Sequence, residues 1–175
     1  GLGSGSHQLR TRATDAAGNV AVSSGSATVN VDNDAPVAGA LSSQQLPPAG
    51  HDDYLHDPSN PVPSRGGPIC CTGNPADRAG PVDQKDVEAR PDVLVYTSPV
   101  LQSAVRIAGP LKAVLRVSSS AVDTDFVARL VHVWPDGRAT NIQEGALRAR
   151  YRDGFTQPKL LEPGAVVTMN IDMRS

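Results

Sequence analysis

Between Ser118 and Ile142 the chain reads SSSAVDTDFVARLVHVWPDGRATNI, a run whose apolar residues recur with a period of two. That period belongs to a strand and not to a helix. Phe126, Ala128, Leu130 and Trp134 fall on one side of such a strand, and Val127, Val131 and Val133 on the other. Pro135-Asp136-Gly137 then supplies a tight turn. Proline fixes φ where the chain bends, the aspartate can bond its own backbone, and glycine accepts positive φ. The stretch is therefore a strand, a turn and a second strand.

Composition agrees with a β-protein. The chain has 175 residues, room for one domain or for one domain and a fragment of another. Hydrophobic residues make up 39% and aromatics 3%, with 15 Pro and 16 Gly, which suits strands joined by many turns better than a helical bundle. A formal net charge of −2 gives no electrostatic case for nucleic acid or an anionic membrane. No apolar run approaches a membrane span and no signal peptide opens the chain, where Gly1 reads as a mid-protein start. Cys70 and Cys71 are adjacent, so a bond between them would close a strained ring. With no C-x-x-C pair for zinc, they are expected as reduced thiols in a loop, which leaves the redox compartment open.

After Pro91 strand signals come steadily. Val93–Thr97 is short and apolar, Val105 and Ile107 alternate with Arg106, and Leu111, Ala113, Leu115 and Val117 alternate with Lys112, Val114 and Arg116. The 118–142 stretch follows, then Leu147–Asp153 and Val166–Met173. Turn signals about every ten residues, and no helical periodicity of any length, predict a Greek-key or jelly-roll sandwich. From Val37 to Pro91 nine prolines block both helix and central strand, so that segment reads as long loops.

Three runs within this frame resemble the C-terminal jelly-roll domain of the X-Pro dipeptidyl-peptidase, cocaine esterase and α-amino-acid ester hydrolase family of serine hydrolases. They are YLHDPSNPVPSRGG (Tyr54–Gly67), GPVDQKDVEARPDVLVYTS (Gly80–Ser98) and the 118–142 stretch, with LRARYRD (Leu147–Asp153) as a further strand. The resemblance implies an all-β, galactose-binding-like jelly-roll β-sandwich over 37–175, cut short at Ser175. It implies a partner too: an α/β-hydrolase catalytic domain of the same protein, acting on acyl esters or on N-terminal dipeptides ending in proline. The Pro-rich loops are expected to wrap the sandwich and touch that domain. Val127, Val131 and Val133 are expected to be covered by other protein in the intact enzyme.

Residues 1–36 read as a separate unit. His7–Thr14 alternates, Asp15-Ala16-Ala17-Gly18-Asn19 makes a turn, Ala27–Val31 alternates again, and Asp32-Asn33-Asp34-Ala35-Pro36 ends the unit. This resembles the last hairpin of a bacterial immunoglobulin-like repeat, which implies an extracellular or cell-envelope location, with the cytoplasm as the alternative. A lone hairpin is marginal in water, so the front of such a repeat is expected to be missing. Asp15, Asp32 and Asp34 raise a calcium question, but they spell out few ligand oxygens and equally suit turns.

Catalytic chemistry is hard to place on the chain. No G-x-S-x-G elbow is present, and Gly3-Ser4-Gly5 lacks the spacing. In the family the resemblance points to, the catalytic residues lie in the α/β-hydrolase domain, so none is carried over. Ser118, Ser119, Ser120, Asp123, Asp125 and His132 supply the residue types of a triad, yet Asp125 and His132 are seven apart and face opposite sides of a regular strand. Asp123 and Asp125 are expected to cap backbone or pair with arginine. His51, Asp52, Asp53, His56 and Asp57 lack the spacing of a metal site and read as a solvated acidic loop. Arg148, Arg150 and Arg152 are expected on one strand face beside Tyr151. No catalytic, cofactor or metal residue is therefore assigned. The rival reading is a secreted binding module for carbohydrate or adhesion. For it the aromatic platform is poor, since Trp134 is the one tryptophan and falls inside the strand pattern.

Overall fold

The computed structural model describes the backbone of residues 8–15, 20–23, 28–31 and 51, and residues 52–69 and 78–173 with their side chains. Among the described residues nine strands are formed: β1 (Gln8–Asp15), β2 (Val20–Ser23), β3 (Thr28–Val31), β4 (His51–Tyr54), β5 (Leu94–Thr97), β6 (Leu111–Ser119), β7 (Asp125–Val133), β8 (Ala139–Arg148) and β9 (Val167–Asp172). One helical turn, α1 (Lys85–Glu88), and one 3-10 turn (Ala149–Tyr151) are the described helical elements. One sheet has the order β5-β1-β7-β8; the other has β3-β6-β2-β4 with β9 on β6, and every pairing is antiparallel.

The two sheets share one core. From β6 come Leu111, Ala113, Leu115 and Val117, from β7 Phe126, Ala128 and Leu130, and from the β9 region Met169, Ile171 and Met173. Tyr54, Ala149 and Leu161 complete the cluster. On β6 the alternation is as read: Lys112 and Arg116 are exposed while their neighbours are buried. Interdigitated inner faces of two sheets make this an all-β sandwich. Each fully buried Phe, Leu, Ile or Met here contributes about 1.5–3 kcal/mol, against about 0–1 kcal/mol for an exposed ion pair, so the core decides the fold.

The hairpin 125–148 forms as its sequence demands. Gly137 takes φ 81°, its N–H donates to the Trp134 carbonyl at 2.8 Å, and Asp136 Oδ1 accepts the Arg138 N–H at 3.0 Å. One irregularity was not legible. Leu130 faces Gln143 while Val131 faces Asn141, so Ile142 is an extra residue on β8. Such a bulge turns the pleat by one position. It brings Asn141 and Glu144, three apart, onto the same outer face as Val131 and Arg129.

That outer face corrects one expectation. Val131 and Val133 are buried within this chain, with Arg129, Ala139 and Asn141, beneath the segment that carries Gln84 and Val87. For Val131 and Val133 the cover is the chain's own Pro-rich segment, while Val127, the third valine of the expected face, is half-buried. Three further differences follow from tertiary pairing. Residues 105–107 form no strand, because their alternation finds no partner strand. Strand β8 ends at Arg148 and the chain turns through Ala149–Tyr151, so Arg148, Arg150 and Arg152 do not share a strand face. The two N-terminal segments read as hairpin partners are not neighbours: β1 lies between β5 and β7, and β3 pairs with β6. Asp15 ends β1, whereas Asp32, Asp34, Cys70 and Cys71 lie outside the described residues.

Candidate functional site

The Pro-rich segment is fixed to the outer face of β7 and β8 by a buried polar network. It starts from three glycines, Gly66, Gly67 and Gly80, that all hold positive φ. Gly67 and Gly80 exchange backbone hydrogen bonds at 2.8 and 2.9 Å, and Gly66 holds φ 67° where a Cβ would lie 2.5 Å from the Gly80 oxygen. Only a residue without Cβ fits so close to backbone. Asn141 spans the strand and the loop, accepting the Val82 N–H at 2.8 Å and donating to the Gly80 carbonyl at 3.2 Å.

Gln84 is the centre of this network and is fully buried. Its Nε2 donates to the carbonyl oxygens of Arg65 (3.0 Å) and Val82 (2.9 Å) and to Asn141 Oδ1 (3.1 Å). Its Oε1 accepts from Arg129, whose other guanidinium nitrogen pairs with Glu144. A buried ion pair needs partners for its remaining polar groups, and here Gln84 Oε1 and the Arg65 carbonyl accept from Nη1 of Arg129, while its buried Nε is left without a hydrogen bond. Backbone completes the seam: the Gln84 N–H donates to the Ala139 carbonyl at 2.7 Å, and Asp83 Oδ1 accepts the Ala139 N–H at 3.1 Å. Behind α1, Arg90 forks onto Asp92 at 2.8 and 2.7 Å and reaches the Asn60 carbonyl at 2.8 Å. The Arg90 hydrogen bond, against the opposing effect of burial, holds the Asp92 carboxyl below the usual carboxylate range.

The second polar centre lies at one end of the sandwich. Asp123, almost wholly buried, receives the Nε of Arg148 and the Nε of Arg150 at 2.6 Å each, and the Arg150 N–H at 3.0 Å. Burial pushes this carboxyl up, but the bonds from Arg148 and Arg150 outweigh it and hold it below its ordinary value. Asp125 meets Arg148 at 3.4 Å. The expected pairing of both aspartates with arginine is therefore found. Arg152 does something else: its guanidinium donates to the carbonyl oxygens of Ala149 (3.0 Å), Lys159 and Leu160.

Both polar centres fall in runs that carried the family resemblance, and the comparison with known proteins agrees. The model of the X-Pro dipeptidyl-peptidase C-terminal non-catalytic domain matches residues 6–175. The chain belongs to that family. It is also similar to a cocaine esterase from Rhodococcus sp. (strain MB1 Bresler), 44% identical over 135 residues, covering 77% of this chain and 23% of that protein. The chain thus spans about a quarter of the length of that relative. The family match includes β1, β2 and β3 as well as the motif runs.

Within this member of the non-catalytic domain family, Ser119, Asp123 and Asp125 are engaged by other groups of the chain. Ser119 Oγ accepts the Ala121 N–H at 3.0 Å and its carbonyl accepts the Gly164 N–H at 2.8 Å. Asp123 and Asp125 face arginines, and His132 stacks on Trp134 with ring centroids 4.5 Å apart. Strand β7 is regular, so Asp125 and His132 point to opposite faces. In the 51–57 run, Asp52 accepts the Tyr96 hydroxyl at 3.1 Å and Asp57 Oδ1 accepts the Ser59 N–H at 2.8 Å, while His56 is buried. Burial and then the Asp52 carboxylate push the Tyr96 hydroxyl above its usual range. Among the described residues no three metal-ligating side chains gather. Trp134 donates its N–H to Thr140 at 2.9 Å and carries the Arg138 guanidinium 5.1 Å from its ring centre, so its ring is engaged within the chain.

What the residues alone did not reveal is the weight carried by Gln84 and Arg152. Gln84 sits in a segment read only as long Pro-rich loops wrapping the sandwich, and its partner Asn141 reaches the outer face through the bulge at Ile142, which leaves no mark in the alternation. Arg152 read as one of three equivalent arginines. A signal was available in Gly154 and Pro158, which bound a tight loop that needs a tether.

Proposed function

We propose that the chain is the domain that packs on an α/β-hydrolase domain of a serine hydrolase and holds its substrate cleft in shape, the substrates being acyl esters or X-Pro dipeptides. The observation that carries this reading is the buried Gln84–Arg129–Asn141 network, which makes a rigid surface out of a segment whose proline content would otherwise leave it loose. Ordered loops fixed to a scaffold are what an interdomain contact needs, because they cost little further ordering when they meet a partner. The family is non-catalytic, and the 44% identical relative is named a cocaine esterase, which supports an esterase parent.

The test is made on the intact parent protein. Cleaving the connection between the hydrolase part and this domain should leave the two halves eluting together with esterase activity retained. Halves that separate at micromolar concentration, with the hydrolase part fully active by itself, overturn the reading.

A further inference from the structure

The loop 152–160 leaves apolar side chains in water although its backbone is held in place. Phe155 is 74% exposed, Leu160 54% and Val122 53%. The Leu161 N–H donates to the Val122 carbonyl at 2.7 Å, which sets Val122 against the exit of the loop, and at its tip the Phe155 ring lies 5.5 Å from that of Tyr151. Order comes from within. Arg152, with its side chain nearly buried, gathers the carbonyl oxygens of Ala149, Lys159 and Leu160, and so closes the loop at both ends. The Gly154 N–H donates to the Tyr151 carbonyl at 3.0 Å and the Lys159 N–H to the Arg150 carbonyl at 2.8 Å. Leu161, buried in the core, anchors the exit. A loop so tied cannot turn Phe155 and Leu160 inward, and fixed exposed aromatics are the side chains that dominate contact energies.

We propose that this Arg152-tied loop is a preformed docking element, with Phe155 as its anchor, for an apolar patch on the hydrolase domain of the same protein. The inference rests on the proposed function and adds the surface to it. The occupant is argued from length: the chain accounts for 23% of the related cocaine esterase, so most of a protein of that kind lies outside this domain and must meet it somewhere. Because Arg152 orders the loop beforehand, the contact gains affinity without a further ordering cost.

Hydroxyl-radical footprinting of the intact parent tests this, with Val100, 39% exposed and outside both the Pro-rich segment and the 152–160 loop, as the reference side chain. After correction for intrinsic reactivity and exposure, Phe155 and Leu160 should oxidise several-fold more slowly than Val100. A Phe155→Ser, Leu160→Ser double variant, which keeps its melting temperature because both side chains are exposed, should weaken co-elution of the severed halves at least about tenfold. Phe155 as reactive as Val100 while wild-type halves still co-elute overturns the docking surface and leaves the proposed function standing. Wild-type halves that separate overturn both. Protection of Phe155 that vanishes on dilution to a monomer makes a second copy the occupant, and also overturns the inference.

Discussion

Gln84 and Asn141, 57 positions apart in sequence, meet side chain to side chain at 3.1 Å between the Pro-rich segment and β8. The contact joins a loop to a sheet where no apolar surface could do it alone. Replacing Gln84 with alanine strands Arg129 and Asn141 in a site closed to water. Leaving buried polar groups unpaired costs about 1–3 kcal/mol each, so Gln84→Ala should lower stability by at least that much. Urea unfolding of the variant checks it, and protease cleavage within 80–92 should become faster.

Gly145 is expected to tolerate no side chain. It lies opposite Ala128 of β7, and a Cβ there would come within 2.2 Å of the Asp172 oxygen and 2.9 Å of the Met173 Cα. Two sheets approach closely at this point, and backbone on both sides leaves nothing flexible to move. Overpacking of this kind costs about 1–3 kcal/mol or more, so Gly145→Ala should lower the melting temperature. Gly80→Ala, where a Cβ meets nothing but φ is 85°, separates backbone strain from steric overlap in the same measurement.

Acid should loosen the end of the sandwich. The folded Asp123 carboxyl sits below its unfolded value of about 3.9, so the stabilisation is complete above that pH and is lost as pH falls through the folded value. Asp92 adds loss of the same sign through Arg90. Melting temperature measured from pH 6 down to pH 2 should therefore fall steeply below about pH 4, and Asp123→Asn should flatten part of that slope while lowering the plateau. An unchanged slope in the variant would show that Asp123 is not the group responsible.

How much of this was legible can be traced to particular residues. The alternation of Leu111–Val117 and of Phe126–Leu130 gave the inner faces, and Pro135-Asp136-Gly137 gave the turn, because both signals are local. Alternation does not say which strand lies beside which. That is why Val105–Ile107 read as a strand without becoming one, and why the N-terminal segments read as partners although β1 enters one sheet and β3 the other. It also cannot show a bulge, so the placing of Asn141 and Glu144 on one face had to wait for the pairing of β7 with β8. At Leu147–Asp153 the alternation continued past the strand end. There Asp123, a distant residue, draws Arg148 and Arg150 together and the chain turns over it. Asp123 and Asp125 were expected to cap backbone or pair with arginine, but which arginines they meet, Arg148 and Arg150, depends on the distant chain turn and left no mark in the spacing.

The most direct test of a supporting rather than a catalytic role is ester turnover by the isolated chain. With p-nitrophenyl acetate the expected result is no saturable hydrolysis above buffer, unchanged in Ser118→Ala, Ser119→Ala and His132→Ala variants. Saturable turnover that one of these single changes abolishes would contradict it.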